Sequence, residues 1–114
     1  MRFRRSEALA LTVERQGSTI CLRLAGEFDL AAVPRVDQVL DALDEDIDSL
    51  IFDLEQVVFL DLAGLRTIIH ANERGRADGF RVSVVKPHGP ASRIFTLTRI
   101  GRELDFVEAA APAA

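Results

Sequence analysis

Two aspartates, Asp53 and Asp61, stand eight positions apart, next to the apolar runs Leu50-Ile51-Phe52 and Val57-Val58-Phe59-Leu60. A pair of carboxylates divides acid and base roles only where a pocket gives the two unequal environments. At the C-terminal end of a strand leading into a helix, a lone Asp is better explained as the helix N-cap, and Asp61 is read that way. The remaining candidates for metal ligation or nucleophilic chemistry are His70, His88 and Cys21. The two histidines are eighteen positions apart in different elements, and Cys21 is remote from both. Nothing in that spacing favours a metal site, so each His is expected at the surface. Cys21 is the only cysteine, so it forms no internal disulfide, and within Ile20-Cys21-Leu22 it reads as a small apolar filler. Neither G-x-S-x-G nor G-x-x-x-x-G-K-[ST] occurs. The expectation is a non-enzyme with no catalytic residue, no metal and no cofactor.

The elements that position these residues follow from period. Leu9, Leu11 and Val13 alternate with Ala10, Thr12 and Glu14, as in a half-buried strand. Gln16-Gly17-Ser18 offers a turn, and Ile20, Leu22 and Leu24 resume the alternation, which makes a hairpin. The spacing then turns helical: Val33, Val36, Val39, Leu40 and Leu43 share a face, with Pro34 in the first turn and a stop expected near Leu43. Leu50 to Leu54 reads as a central strand, and Val57 to Leu60 leads into Asp61. Leu65, Ile68, Ile69 and Asn72 mark a second helix that Gly79 can end in a left-handed conformation. Phe80 to Val85 is a further strand. A third helix is expected to carry Ile94, Leu97 and Ile100 and to stop at Gly101, before an edge strand from Leu104 to Val107. The order β-β-α-β-α-β-α-β predicts an α/β fold, a mixed central sheet with helices packed on it. Residues 9–108 form the one expected domain, between a flexible N-terminus, 1–8, and a disordered, small-residue tail, 109–114.

The chain has 114 residues, nearly half of them apolar, which suits one globular core. Fourteen basic residues against eighteen acidic ones leave a net charge of −4, a poor match to a nucleic-acid backbone. The one basic cluster, Arg2, Arg4 and Arg5, is read as a solvated end. No apolar run is long enough to span a bilayer, and Ser6, Glu7 and Thr12 interrupt any signal segment, so the expected location is cytoplasmic.

The segment from Ile51 to Gly79 carries the functional signal. Asp61 can cap, while Ala63 and Gly64 in the first turn leave backbone N–H groups open to an approaching group. A strand ending in an apolar run, then Asp61, two positions, Gly64 and the apolar Leu65, resembles the D-S-[ST]-G-[LIV] signature of STAS domains. Gly26-Glu27-Phe28-Asp29 is similar to the family's G-E-L-D turn. Phe52-Asp53-Leu54 is similar to its preceding D-L strand, and Leu97-Thr98-Arg99-Ile100 to its L-T-G-[LIV] segment. The match runs in register over roughly residues 9 to 108.

The resemblance implies an anti-sigma factor antagonist, a domain that binds an anti-sigma factor, often a serine kinase, and frees the sigma factor. In that family the kinase phosphorylates the first Ser after the motif Asp, and the added charge of about −1.5 to −2 breaks the complex. Here that position is Leu62 and the next is Ala63, so the implied switch has no hydroxyl to act on. The expectation is a docking domain without phosphorylation at the family position. It would touch its partner through Glu27, Asp29, Asp61, Leu62, Ala63, Gly64, Leu65 and Arg66. For Glu27 and Asp29 the competing reading is a solvated turn with Asp29 as a cap, and for Leu62 a core position. Two alternatives stand beside this one. STAS proteins also accompany lipid-transport ABC ATPases, whose D-T-A-G-L motif shares Ala63-Gly64-Leu65. An open helix N-terminus could instead serve a nucleotide-responsive module.

Overall fold

The computed structural model describes residues 8–44 and 46–109. The termini expected to be flexible or disordered lie almost wholly outside the described residues, as does the Arg2, Arg4 and Arg5 cluster. The alternating opening runs form β1 (Leu9–Gln16) and β2 (Thr19–Phe28), paired antiparallel from Leu9 opposite Gly26 to Gln16 opposite Thr19. There follow α1 (Val33–Asp41), β3 (Ser49–Leu60), α2 (Leu62–Asp78), β4 (Arg81–Val85), α3 (Arg93–Leu97) and the two-residue edge strand β5 (Asp105–Phe106). The five strands lie in sequence order, with every pair after the hairpin parallel. This is the expected α/β fold, with helices covering a mixed sheet.

One face of the sheet is the core face. Ile20, Leu22 and Leu24 of β2, Leu50, Phe52 and Leu54 of β3, and Val82 and Val84 of β4 are buried there. They pack with Val36 and Leu40 of α1 and Leu65, Ile68 and Ala71 of α2 in one apolar cluster. Alternate residues Cys21 and Arg23 point the other way and are only half-buried. Period two on the strands and 3.6 on the helices decide which residues meet.

Three details differ from the expectation. The two runs around Asp53 are one strand of 12 residues, and its register against β2 shifts twice. The second shift leaves Val58 without an opposite residue, between Gly26 opposite Val57 and Glu27 opposite Phe59. Such bulges re-aim side chains, and Val58 is exposed. Helix α1 ends at Asp41, two residues before the expected stop.

The third helix is much shorter than its apolar spacing suggests. It spans only Arg93–Leu97, Thr98 is extended, and a 3₁₀ turn carries Ile100–Glu103. Thr98 donates both its N–H, at 3.2 Å, and its hydroxyl, at 2.6 Å, to the Ile94 carbonyl. The hydroxyl shares a carbonyl that keeps its helical N–H donor, and such a side-chain bond to the i−4 carbonyl slightly weakens a helix. Leu97, expected to share a helix face with Ile94, is 80% exposed.

Candidate functional site

The site is built where β2 and β3 end side by side, with Phe28 opposite Leu60. Asp61 follows β3 in extended backbone and caps α2, its Oδ1 accepting from the Gly64 N–H at 2.9 Å. Its other oxygen, Oδ2, accepts from the Leu30 N–H at 3.2 Å, in the turn that follows β2. The Asp61 N–H donates to the Phe28 carbonyl at 3.4 Å. One residue thus closes its own helix and ties it to the neighbouring turn.

Gly64 is fixed by space. A Cβ on it would lie 2.7 Å from the Phe28 carbonyl oxygen and 2.7 Å from Leu60 Cδ1. The first turn of α2 therefore approaches the end of β2 as closely as it does only because no side chain intervenes. Asp and Gly, three residues apart, are two halves of one junction: the first supplies the bonds, the second the clearance.

The residues expected to meet a partner separate by exposure. Leu62 is 39% exposed and Arg66 lies at the surface one turn along, so the core reading of Leu62 does not hold. Asp61, Ala63 and Glu27 are half-buried. Asp29, Gly64 and Leu65 are buried, and their side of the matter is support. Asp29 accepts from the Ala32 N–H at 3.3 Å, capping the 3₁₀ turn Leu30–Ala32 that opens onto α1. Leu65 fills the core. Thr67, the nearest hydroxyl on α2, is buried and donates to the Ala63 carbonyl at 3.1 Å.

Leu30 was not among the expected residues. It is 70% exposed and directly bonded to Asp61, a contact between turns 31 positions apart that no local spacing announces. Val58 and Phe59 add exposed apolar surface at the end of β3.

Asp53 and Asp61 do not form an acid–base pair, because each has its own partners. Asp53 Oδ1 accepts from the Glu55 N–H at 3.1 Å and Oδ2 from Arg23 Nε at 3.4 Å. Arg23 also meets Glu14 at 2.7 Å, so one guanidinium spans three strands on the sheet face away from the core. Its hydrogen bond with Asp53 and the Glu14 charge hold its pKa above the ordinary value. Burial, then the Asp53 charge, pushes the Cys21 thiol up, which disfavours the nucleophilic thiolate. His70 and His88 are exposed, the latter 3.6 Å from Glu55. No cluster of three or more His, Cys, Asp or Glu suited to a metal assembles among the described residues. Among them, too, no helix is long and apolar enough to cross a membrane.

The capped, glycine-closed junction displays a leucine and a cation, Leu62 and Arg66, at the surface. The fold is that of an α/β domain with a mixed five-stranded sheet. The STAS-domain family model matches residues 10–111, and the chain belongs to the STAS domain family. It is a non-catalytic protein-interaction module of the kind represented by anti-sigma factor antagonists.

Solved structures agree. An anti-sigma factor antagonist from Mycobacterium paratuberculosis is 27% identical, over 88% of this chain and 86% of that one, with a TM-score of 0.71. The anti-sigma factor antagonist SpoIIAA in its unphosphorylated form is 19% identical, over 89% and 90% of the two chains, with a TM-score of 0.70. The phosphorylated form of SpoIIAA, a Bacillus cell fate determinant, is 20% identical over 89% and 92%, also with a TM-score of 0.70. At those identities the two SpoIIAA structures speak to the fold alone. No curated protein matches the sequence.

Proposed function

We propose that this chain is an anti-sigma factor antagonist that docks onto an anti-sigma factor or serine-kinase-like protein and has no phosphoserine switch at the family position. The observation that carries this reading is Leu62: it occupies the position of the family's serine, at the surface of an intact Asp61–Gly64 junction. Ala63 beside it has no hydroxyl either, and Thr67 is buried with its hydroxyl engaged. The junction keeps the geometry that presents a side chain to a partner and replaces the reactive group by apolar area. Interface cores are depleted in charge and rich in such area, so the replacement suits lasting contact. Arg66 stands at the rim, where a charge acts more on association rate than on final affinity.

The test is incubation of the protein with a purified anti-sigma factor kinase from its host and ATP, followed by intact-mass measurement and binding. Binding without a mass increase is the expected result. A stoichiometric phosphate on the Asp61–Gly64 turn would end this reading. Copurification with an ABC ATPase in place of an anti-sigma factor would move the chain to the transport-associated branch of the family. A phosphate ligand is the less suited occupant of this turn, because the Gly64 N–H is already taken by the Asp61 carboxylate and a phosphate would meet that like charge.

A further inference from the structure

An N-cap needs one side-chain oxygen, and Asp61 uses both. Oδ1 satisfies Gly64 at 2.9 Å, which completes the cap; Oδ2 accepts from Leu30 at 3.2 Å, which the helix does not require. The second bond fixes the turn after β2 against the start of α2. It holds a leucine whose side chain is 70% exposed, while Leu62, next to Asp61 in the chain, is 39% exposed. Two surface leucines from distant parts of the chain therefore flank one carboxylate. Neither leucine belongs to the apolar core cluster. On the outer face of α2, four positions beyond Leu62, Arg66 is exposed and makes no ion pair among the described residues.

We infer that Leu30 and Leu62 are the two halves of one apolar anchor site, with Asp61 as the positioning residue that holds them together. The occupant is a partner protein's apolar side chain, carried beside an acidic residue that meets Arg66. This rests on the docking function proposed above and adds to it a second anchor and the chemistry of the partner's contact. The charge argument weighs two groups. Both Asp61 oxygens already accept from N–H groups of the fold, whereas Arg66, one turn further along α2, is exposed and makes no ion pair among the described residues. An acidic residue of the partner is therefore met at Arg66, and a basic one is disfavoured there. The apolar argument is that a few buried side chains at the centre of an interface carry most of its energy.

Asp61→Asn separates the two bonds. Asn is as good an N-cap as Asp, and one amide oxygen can still serve Gly64. The amide nitrogen that replaces the other oxygen is a donor, so it cannot accept from the Leu30 N–H. The experiment measures binding of the full chain to its host's purified anti-sigma factor, with amide hydrogen exchange read at Leu30 and Gly64. Leu30→Ser and Leu62→Ser should each weaken binding by about tenfold or more, with thermal midpoints near that of the wild type. Asp61→Asn should weaken binding and speed exchange at Leu30 while Gly64 stays protected. Arg66→Glu should slow association, most at low salt. If Leu62→Ser weakens binding and Leu30→Ser does not, the paired anchor is wrong and the docking function stands. If exchange at Leu30 is unchanged in Asp61→Asn, the positioning role of Asp61 is wrong. If the wild-type chain binds no anti-sigma factor, the docking function fails and the anchor with it.

Discussion

Two strand-to-helix junctions of this sheet, β3 into α2 and β4 into α3, solve the same problem differently. The first is capped by a carboxylate, closed by a glycine that has no room for a side chain, and followed by a helix of 17 residues. The second passes through a 3₁₀ turn at Gly89–Ser92 without a side-chain cap, and its helix has five residues. Both contain a glycine, for unrelated reasons. Gly64 is demanded by the backbone of β2 at 2.7 Å, whereas Gly89 has φ +61° and nothing within 4 Å of a built Cβ. Each helix also exposes a leucine, α2 at its first residue, Leu62, and α3 at its last, Leu97. Only Leu62 stands next to a residue that is bonded both to its own helix and to a neighbouring turn. Under the proposed docking function, an exposed apolar residue serves as an anchor where hydrogen bonds fix the backbone beneath it.

The largest test of this contrast is Gly64→Ala. The added Cβ meets a backbone oxygen that cannot rotate away, so α2 must shift; despite alanine's better helix propensity the loss should be about 2 kcal/mol or more, read by urea denaturation. If stability is unchanged, the close approach of α2 to β2 is not a constraint. Asp61→Ala comes next, at about 1–2 kcal/mol for a lost cap and a lost bridge between turns, measured in the same way. Gly89→Ala should cost about 1 kcal/mol, through its left-handed backbone alone. It should leave partner binding untouched, since it lies in the uncapped junction.

The smallest effects on stability belong to the two leucines. Leu62→Ser and Leu97→Ser should each change it by no more than about 0.5 kcal/mol, because neither fills the core. They should part company in binding, where Leu62→Ser weakens association with the anti-sigma factor and Leu97→Ser does not. Equal losses of binding would dissolve the distinction between the two exposed leucines.

Much of this was legible in the residues. Alternation around Gly17 dictates the hairpin, and Val33, Val36 and Leu40 dictate α1. Asp61 announced its cap, because a carboxylate three positions before a small residue at a strand-to-helix boundary has a local partner. Gly79 announced the end of α2 because glycine alone takes left-handed backbone without a Cβ penalty, and it adopts φ +90° there. The failures lay where local and distant forces compete. Leu97 carries a helical spacing, yet the helix ends at it and Thr98 turns extended, its hydroxyl sharing the Ile94 carbonyl with its own N–H. The bulge at Val58 is invisible in a run of apolar residues, since it exists only relative to the pairing of β2.

Sequence alone determined the strand and helix order, the apolar faces, the cap at Asp61 and the absence of a hydroxyl at Leu62 and Ala63. These depend on chemistry within a few residues along the chain, where spacing and side-chain type act directly. Tertiary structure alone decided that Leu62 faces outward, that Gly64 must lack a side chain, and that Leu30 joins the site through the second oxygen of Asp61. Those facts depend on two turns, 31 positions apart, being brought together by adjacent parallel strands. No local pattern encodes which distant N–H a free carboxylate oxygen will find.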